Sequence, residues 1–177
     1  MRLIIAACFM VLVSCQNATV NPTAFFDTKH FFEHEITILT EQKTGIEKHL
    51  VYGENKDSLT IFDTVNWEKE LQAFTVLDLA KPSNRNAFKV DSSSSNSQTQ
   101  INYTSTDKKQ TLKTVKITRD GQYNVKVIEA VLTKTNSLYQ SSTYLRYVTD
   151  SGFSMHGTQS VKLGDDEDYL INARFIH

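Results

Sequence analysis

Apolar positions in this chain follow two regimes, a helical one near the start and an alternating one through the second half. From Ala24 to about Lys43, Phe25, Phe32, Ile36 and Leu39 recur at spacings of 7, 4 and 3 residues. At 100° per residue these four share one narrow stripe, with Phe26 and Phe31 at its flanks, which predicts an amphipathic helix. Gly45 is expected to stop it. A hairpin is read from Ile46 to Tyr52, a turn at Gly53-Glu54-Asn55, and Ser58 to Phe62. Asp63 or Thr64 then offers an N-cap for a second helix. Trp67, Leu71 and Phe74 form its apolar face, Glu68 and Glu70 lie near its positive end, and Pro82 marks its limit.

Residues 83–98 show no apolar periodicity. With Asp91-Ser92-Ser93-Ser94-Ser95-Asn96-Ser97 at its centre, this segment is read as a polar, disordered loop within one domain. Beyond it the pattern is that of strands: Ile101–Tyr103, Leu112–Arg119, Gln122–Thr133, Leu138–Val148, Phe153–Leu163 and Asp168–Ile176. Asp120-Gly121 signals a type I′ hairpin, whose two central residues both need positive φ. Between Gln122 and Thr133 both strand faces are apolar, which predicts a strand covered on both sides. Short connections favour an antiparallel meander. The expected fold is α+β: two N-terminal helices with a short hairpin, then a curved antiparallel sheet of about six strands. This order resembles, in architecture alone, the cupped half-barrel of periplasmic lipoprotein carriers.

The first residues change where such a domain is expected to sit. Met1-Arg2 precedes an unbroken apolar run, Leu3 to Val13, and then Ser14-Cys15. Such a run is a secretory signal; at ~1.5 Å per residue it rises about 16 Å, too short for a hydrocarbon core of ~30 Å. Leu12-Val13-Ser14-Cys15 resembles the lipobox of bacterial lipoproteins. That resemblance implies cleavage after residue 14, acylation of the Cys15 thiol, and anchoring in the outer membrane by fatty chains; cleavage without lipidation is the rival. Residues 15–23 then form a flexible tether and 24–177 the domain. Lipobox, amphipathic helix, Trp-containing second helix and strand-rich tail together look like the short lipoproteins of Bacteroidota. In that group an acidic patch after the cysteine goes with surface export. Gln16-Asn17-Ala18-Thr19 has no acid, so the resemblance implies a periplasm-facing protein.

Composition narrows the chemistry. The other cysteine, Cys8, lies inside the leader, so the mature chain has no disulfide pair. Nineteen basic and twenty acidic side chains give a net charge of −1, without a basic stripe to track phosphate, so nucleic acid is not an expected partner. His30-Phe31-Phe32-Glu33-His34 matches the His-x-x-Glu-His pattern of inverted zincins, in which two histidines bind zinc and the glutamate is the base. On the expected helix, however, His30 and His34 point away from the apolar stripe and lack a third ligand. Gly164-Asp165-Asp166-Glu167-Asp168 gathers carboxylates without the ligand spacing of an EF-hand. Ser154 and His156 project from one strand face with no strained elbow to expose a nucleophile. Glu129, among valines and within reach of Arg146 or Lys126, marks the neighbourhood expected to hold any ligand. No metal, cofactor or catalytic residue is assigned. The expectation is a non-catalytic binding or scaffolding domain with an envelope partner; a carrier for an acyl chain or other apolar ligand is the alternative, and a hydrolase using His30, Glu33 and His34 comes last.

Overall fold

The computed structural model describes residues 25–84, 86–162 and 166–177. The leader, Cys15, the tether, Gly164 and Asp165 lie outside the described residues. Helix α1, Thr28–Glu41, leads into strands β1, Gly45–Tyr52, and β2, Asn55–Ile61. Two single-turn helices follow, α2 at Trp67–Glu70 and α3 at Gln72–Thr75. The remaining strands are β3 Phe88–Ser95, β4 Gln98–Ser105, β5 Leu112–Arg119, β6 Val125–Thr135, β7 Tyr139–Val148, β8 Gly152–Val161 and β9 Glu167–Ile176.

All nine strands join one antiparallel sheet in the order β2-β1-β9-β8-β7-β6-β5-β4-β3. This overturns the expected pair of helices ahead of a six-strand half-barrel. The sheet is open, with β2 and β3 at its edges, and one long helix with two short turns supplies the other layer. Two residue sets account for the difference. The first hairpin does not stand apart: β1 pairs with β9 from Gly45↔Ile176 to Tyr52↔Tyr169, a contact that local periodicity does not encode. The segment read as a polar loop holds β3, paired with β4 from Phe88↔Ser105 to Ser95↔Gln98. Ser92–Ser95 are exposed, as befits the far half of an edge strand. The turn joining β3 to β4 is Asn96-Ser97, with φ of 49° and 60°, so it is here that a two-residue I′-like connection occurs. At Asp120-Gly121 the loop is longer. Tyr123 takes the positive φ of 65°, and Asp120 Oδ1 accepts from the amides of Gln122 and Asn124 at 2.9 and 3.0 Å.

Helix α1 starts where Asp27 accepts from the His30 amide at 2.9 Å. The residue that closes it is Lys43 rather than Gly45. Lys43 has φ 52°, and the amides of Lys43 and Thr44 reach back to the carbonyls of Thr40 and Leu39 at 3.1 and 3.0 Å. That is a Schellman closure made without glycine. Gly45 serves the sheet instead, since a Cβ there would stand 2.8 Å from the Ile61 carbonyl oxygen. Helix α2 is capped by Asn66, not by Asp63 or Thr64: its side chain accepts from the Lys69 amide at 3.0 Å.

One sheet face meets the helices. Phe32 and Tyr147 stack edge to face at 5.2 Å, Trp67 and Phe175 at 5.2 Å, and Phe74 and Phe153 at 5.6 Å. Trp67, Leu71, Phe74, Leu77 and Leu79 are buried beneath the helical layer and the chain that follows it. Each such side chain stabilises the fold by about 1.5–3 kcal/mol on burial. The space between helices and sheet is therefore filled by side chains. At the far end of the same face the cover stops, leaving Leu50, Tyr52 and Leu59 at 38, 45 and 50% exposure.

Candidate functional site

The opposite face has no covering layer among the described residues. This corrects the expectation for β6: its inner row, Ile128 and Ala130, is buried, whereas Val127, Glu129 and Val131 on the outer row are half-buried by their neighbours alone. Strand register aligns the outer side chains into rows running across the sheet. One row is Lys116↔Glu129↔Arg146↔Ser154↔Asn172↔His49↔Ser58. Its neighbour is Val127↔Val148↔Gly152↔Arg174↔Glu47↔Thr60. Neighbouring strands lie about 4.8 Å apart, so side-chain length decides the relief of such a face.

Strand β8 contributes only Gly152 and Ser154 to these rows, while β7 brings Arg146 and β9 and β1 bring Arg174, Glu47 and His49. A groove of about 530 Å³ results, floored by β8 and walled by the longer side chains. Gly152 is required there for a second reason. Its φ is 147°, and a Cβ would meet the Ala173 carbonyl oxygen at 2.0 Å.

The borders of the groove are ionic. Arg174 donates from Nε and Nη2 to Glu47 Oε2 at 3.1 and 2.6 Å. His49 Nδ1 lies 2.9 Å from Ser58 Oγ. Glu129 receives the Tyr144 hydroxyl and, at 3.1 Å, the Lys116 ammonium, with Arg146 Nε 3.7 Å away. Desolvation alone would raise the Glu129 pKa, but the hydrogen bonds from Tyr144 and Lys116 and the Arg146 charge outweigh it and hold the pKa below the ordinary value. Tyr144 is pushed up to about 12 by desolvation and by the carboxylate it serves.

Glu129 and Arg146 are thus placed opposite one another, and Arg146 lines the groove. Lys116 is the ammonium that reaches Glu129, while Lys126 turns to Asp120 at 3.5 Å. Other candidates are scattered. His30 and His34 are exposed on α1, with Glu33 near Lys29 at 3.8 Å. Among the described residues no three His, Cys, Asp or Glu side chains cluster as a metal site. Ser154 and His156 are two apart on the open face, where the register neighbours of Ser154 are Arg146 and Asn172, neither of them a base. Glu167 and Asp168 are exposed at the start of β9.

Sequence reasoning missed Glu35. Its carboxylate is buried under α1, 8% exposed, and accepts the Tyr147 hydroxyl at 2.5 Å. Burial raises its pKa against the opposing hydrogen bond, with Asp150 adding and His34 subtracting. The signal was spacing: Glu35 falls three after Phe32 and four before Leu39, inside the apolar stripe.

No family model matches the chain, and comparison with curated proteins and with solved structures likewise yields no match. No helix among the described residues is long and apolar enough to cross a membrane.

Proposed function

We propose that this chain is a lipid-anchored envelope protein, acylated at Cys15 and facing the periplasm, that works as a non-catalytic binding or scaffolding domain. One observation supports the reading above the others: helices cover most of one side of the sheet and leave the other as a broad polar surface with a groove. A surface of rigid strands holds recognition groups in fixed register, which favours binding with little ordering cost. The groove is lined by arginines, an amide and hydroxyls, with Glu47 and His49 at its border. The hydroxyl that meets an imidazole, Ser58 at His49, lies exposed on the edge strand β2 outside the groove rather than in it. The filled space between helices and sheet weighs against a carrier enclosing an acyl chain, and the exposed, separate positions of His30 and His34 weigh against a zinc hydrolase.

The test has two arms on the native protein. Mass spectrometry of the membrane-extracted chain should find an N-terminus at Cys15 carrying acyl chains, and Cys15→Ala should move the protein to the soluble fraction. A photo-cross-linking residue at His156, exposed on the open face outside the groove, should give a discrete adduct in cells, while one at Glu68, exposed on α2, should not. A non-acylated mature chain, or an adduct pattern indifferent to position, overturns the proposal.

A further inference from the structure

Around the groove the lysine and arginine side chains outnumber the carboxylates by one. Glu47 holds Arg174 at 2.6 Å. Glu129 takes Lys116 at 3.1 Å and the Tyr144 hydroxyl. Arg146 comes no closer than 3.7 Å to Glu129 and, among the described residues, makes no side-chain hydrogen bond. Lys116, Arg146 and Arg174 therefore face two carboxylates, Glu47 and Glu129, leaving an excess of one positive charge beside the groove. The register neighbours of Arg146 toward the groove are Ser154 and then Asn172, whose hydroxyl and amide also have no hydrogen-bond partner among the described residues. Val148, adjoining on β7, adds an apolar wall.

We propose that this groove binds the carboxylate of a small polar molecule, held by the fork of the Arg146 guanidinium and by the Ser154 and Asn172 side chains, with the ligand's carbon frame against Val148. The proposal rests on the reading that the open face is the binding surface. A planar guanidinium presents paired N–H groups at the spacing of carboxylate oxygens, which a lysine cannot do. One spare charge matches a monoanion; a phosphate monoester would bring close to two negative charges beside Glu129 and Glu47. The volume of about 530 Å³ is of the size that holds small ligands. Since the Arg146 side chain is 45% exposed, solvent screens the pair.

Ligand-observed NMR titration of the detergent-solubilised full chain tests this with three probes on one sugar ring: glucuronate, glucose and glucose 6-phosphate. Glucuronate should saturate, with glucose weaker by about tenfold or more, the worth of a charge-assisted contact. Arg146→Ala should lose glucuronate binding by a similar factor. Arg146→Lys, which keeps the charge and loses the fork, should recover only part of it. Ser154→Leu fills the groove without touching a charge and should also abolish binding, so the test survives a misfolded arginine variant. Equal binding of glucose, tighter binding of glucose 6-phosphate, no binding of any probe, or an Arg146→Ala variant that binds as the parent does would overturn the proposal. A position-specific adduct at His156 without glucuronate binding removes the carboxylate assignment and leaves the face as a binding surface. Loss of that positional specificity removes the broader reading as well.

Discussion

Two of the three tyrosines on strand β7, Tyr144 and Tyr147, each donate a hydroxyl to a glutamate on their own side of the sheet. On the helix side, Tyr147 meets Glu35 among Phe31, Phe32, Phe74 and Phe175, with no cation in hydrogen-bond contact. On the open side, Tyr144 meets Glu129, with Lys116 at 3.1 Å and Arg146 at 3.7 Å. The same two functional groups titrate in opposite directions: Glu35 is raised and Glu129 lowered from the common reference of 4.5. One phenol hydrogen bond is present in both, so it is not what separates them. Desolvation, fuller under the helix and joined there by the Asp150 charge, and the Lys116 and Arg146 charges beside Glu129 set the sign. The inner pair is a polar tie between α1 and the sheet; the outer pair is part of a charged surface that water can still reach.

Removing the inner phenol is the strongest way to break this contrast. Tyr147→Phe keeps the aromatic packing but leaves a buried carboxylate without its donor, which costs about 1–3 kcal/mol. Urea unfolding at pH 7 should show that loss, while Tyr144→Phe under the same conditions should show well under half of it. Equal losses would mean that the two sites are equivalent after all. Glu35→Gln sharpens the comparison through pH. A raised carboxyl pKa contributes stability that is complete below the unfolded value and is lost as pH rises through the folded one. The amide still accepts from Tyr147 and never ionises. The thermal midpoint of Glu35→Gln minus that of the parent should therefore climb between pH 4 and pH 8, by less than the Tyr147→Phe loss.

Strands whose side chains alternate between core and water were legible from the amino-acid pattern. Leu112–Arg119 is found with the expected bounds, and β6 to β9 differ from expectation by a few residues at their ends. What stayed hidden depends on partners distant in sequence or on backbone alone. Strand β3 buries Phe88 but then runs as exposed serines, held by pairing with β4 and by a turn in which Asn96 and Ser97 accept positive φ. Such a strand carries no period to read. The union of β1 with β9 joins residues more than a hundred positions apart, and neither pattern specifies the other. At the open face, Glu129 and Arg146 stood out by type and spacing. The groove did not, because it arises from two small residues, Gly152 and Ser154, lying in register between long ones. Glu35 was hidden for a different reason: a charged residue within an apolar stripe is ordinarily read as its edge.

The smallest expected effect concerns the outer pair, and it carries the opposite sign. A lowered carboxyl pKa contributes stability present above the unfolded value and lost as pH falls through the folded one. Glu129→Gln should thus cost most near neutral pH, about 0.5–1 kcal/mol for a partly exposed ionic cluster, and that cost should shrink toward pH 3. Salt gives an independent check. Lys116 and Arg146 act on Glu129 across a half-open surface, where a Debye length of ~8 Å at physiological ionic strength falls to ~3 Å at 1 M. Raising sodium chloride from 0.1 to 1 M should therefore erase much of the Glu129→Gln cost at pH 7 while leaving the Tyr147→Phe cost nearly unchanged. If both costs fall together, the inner pair is open to solvent and the contrast between the faces fails. If neither moves, the open face is covered in solution, and the groove at Arg146 is closed to a ligand.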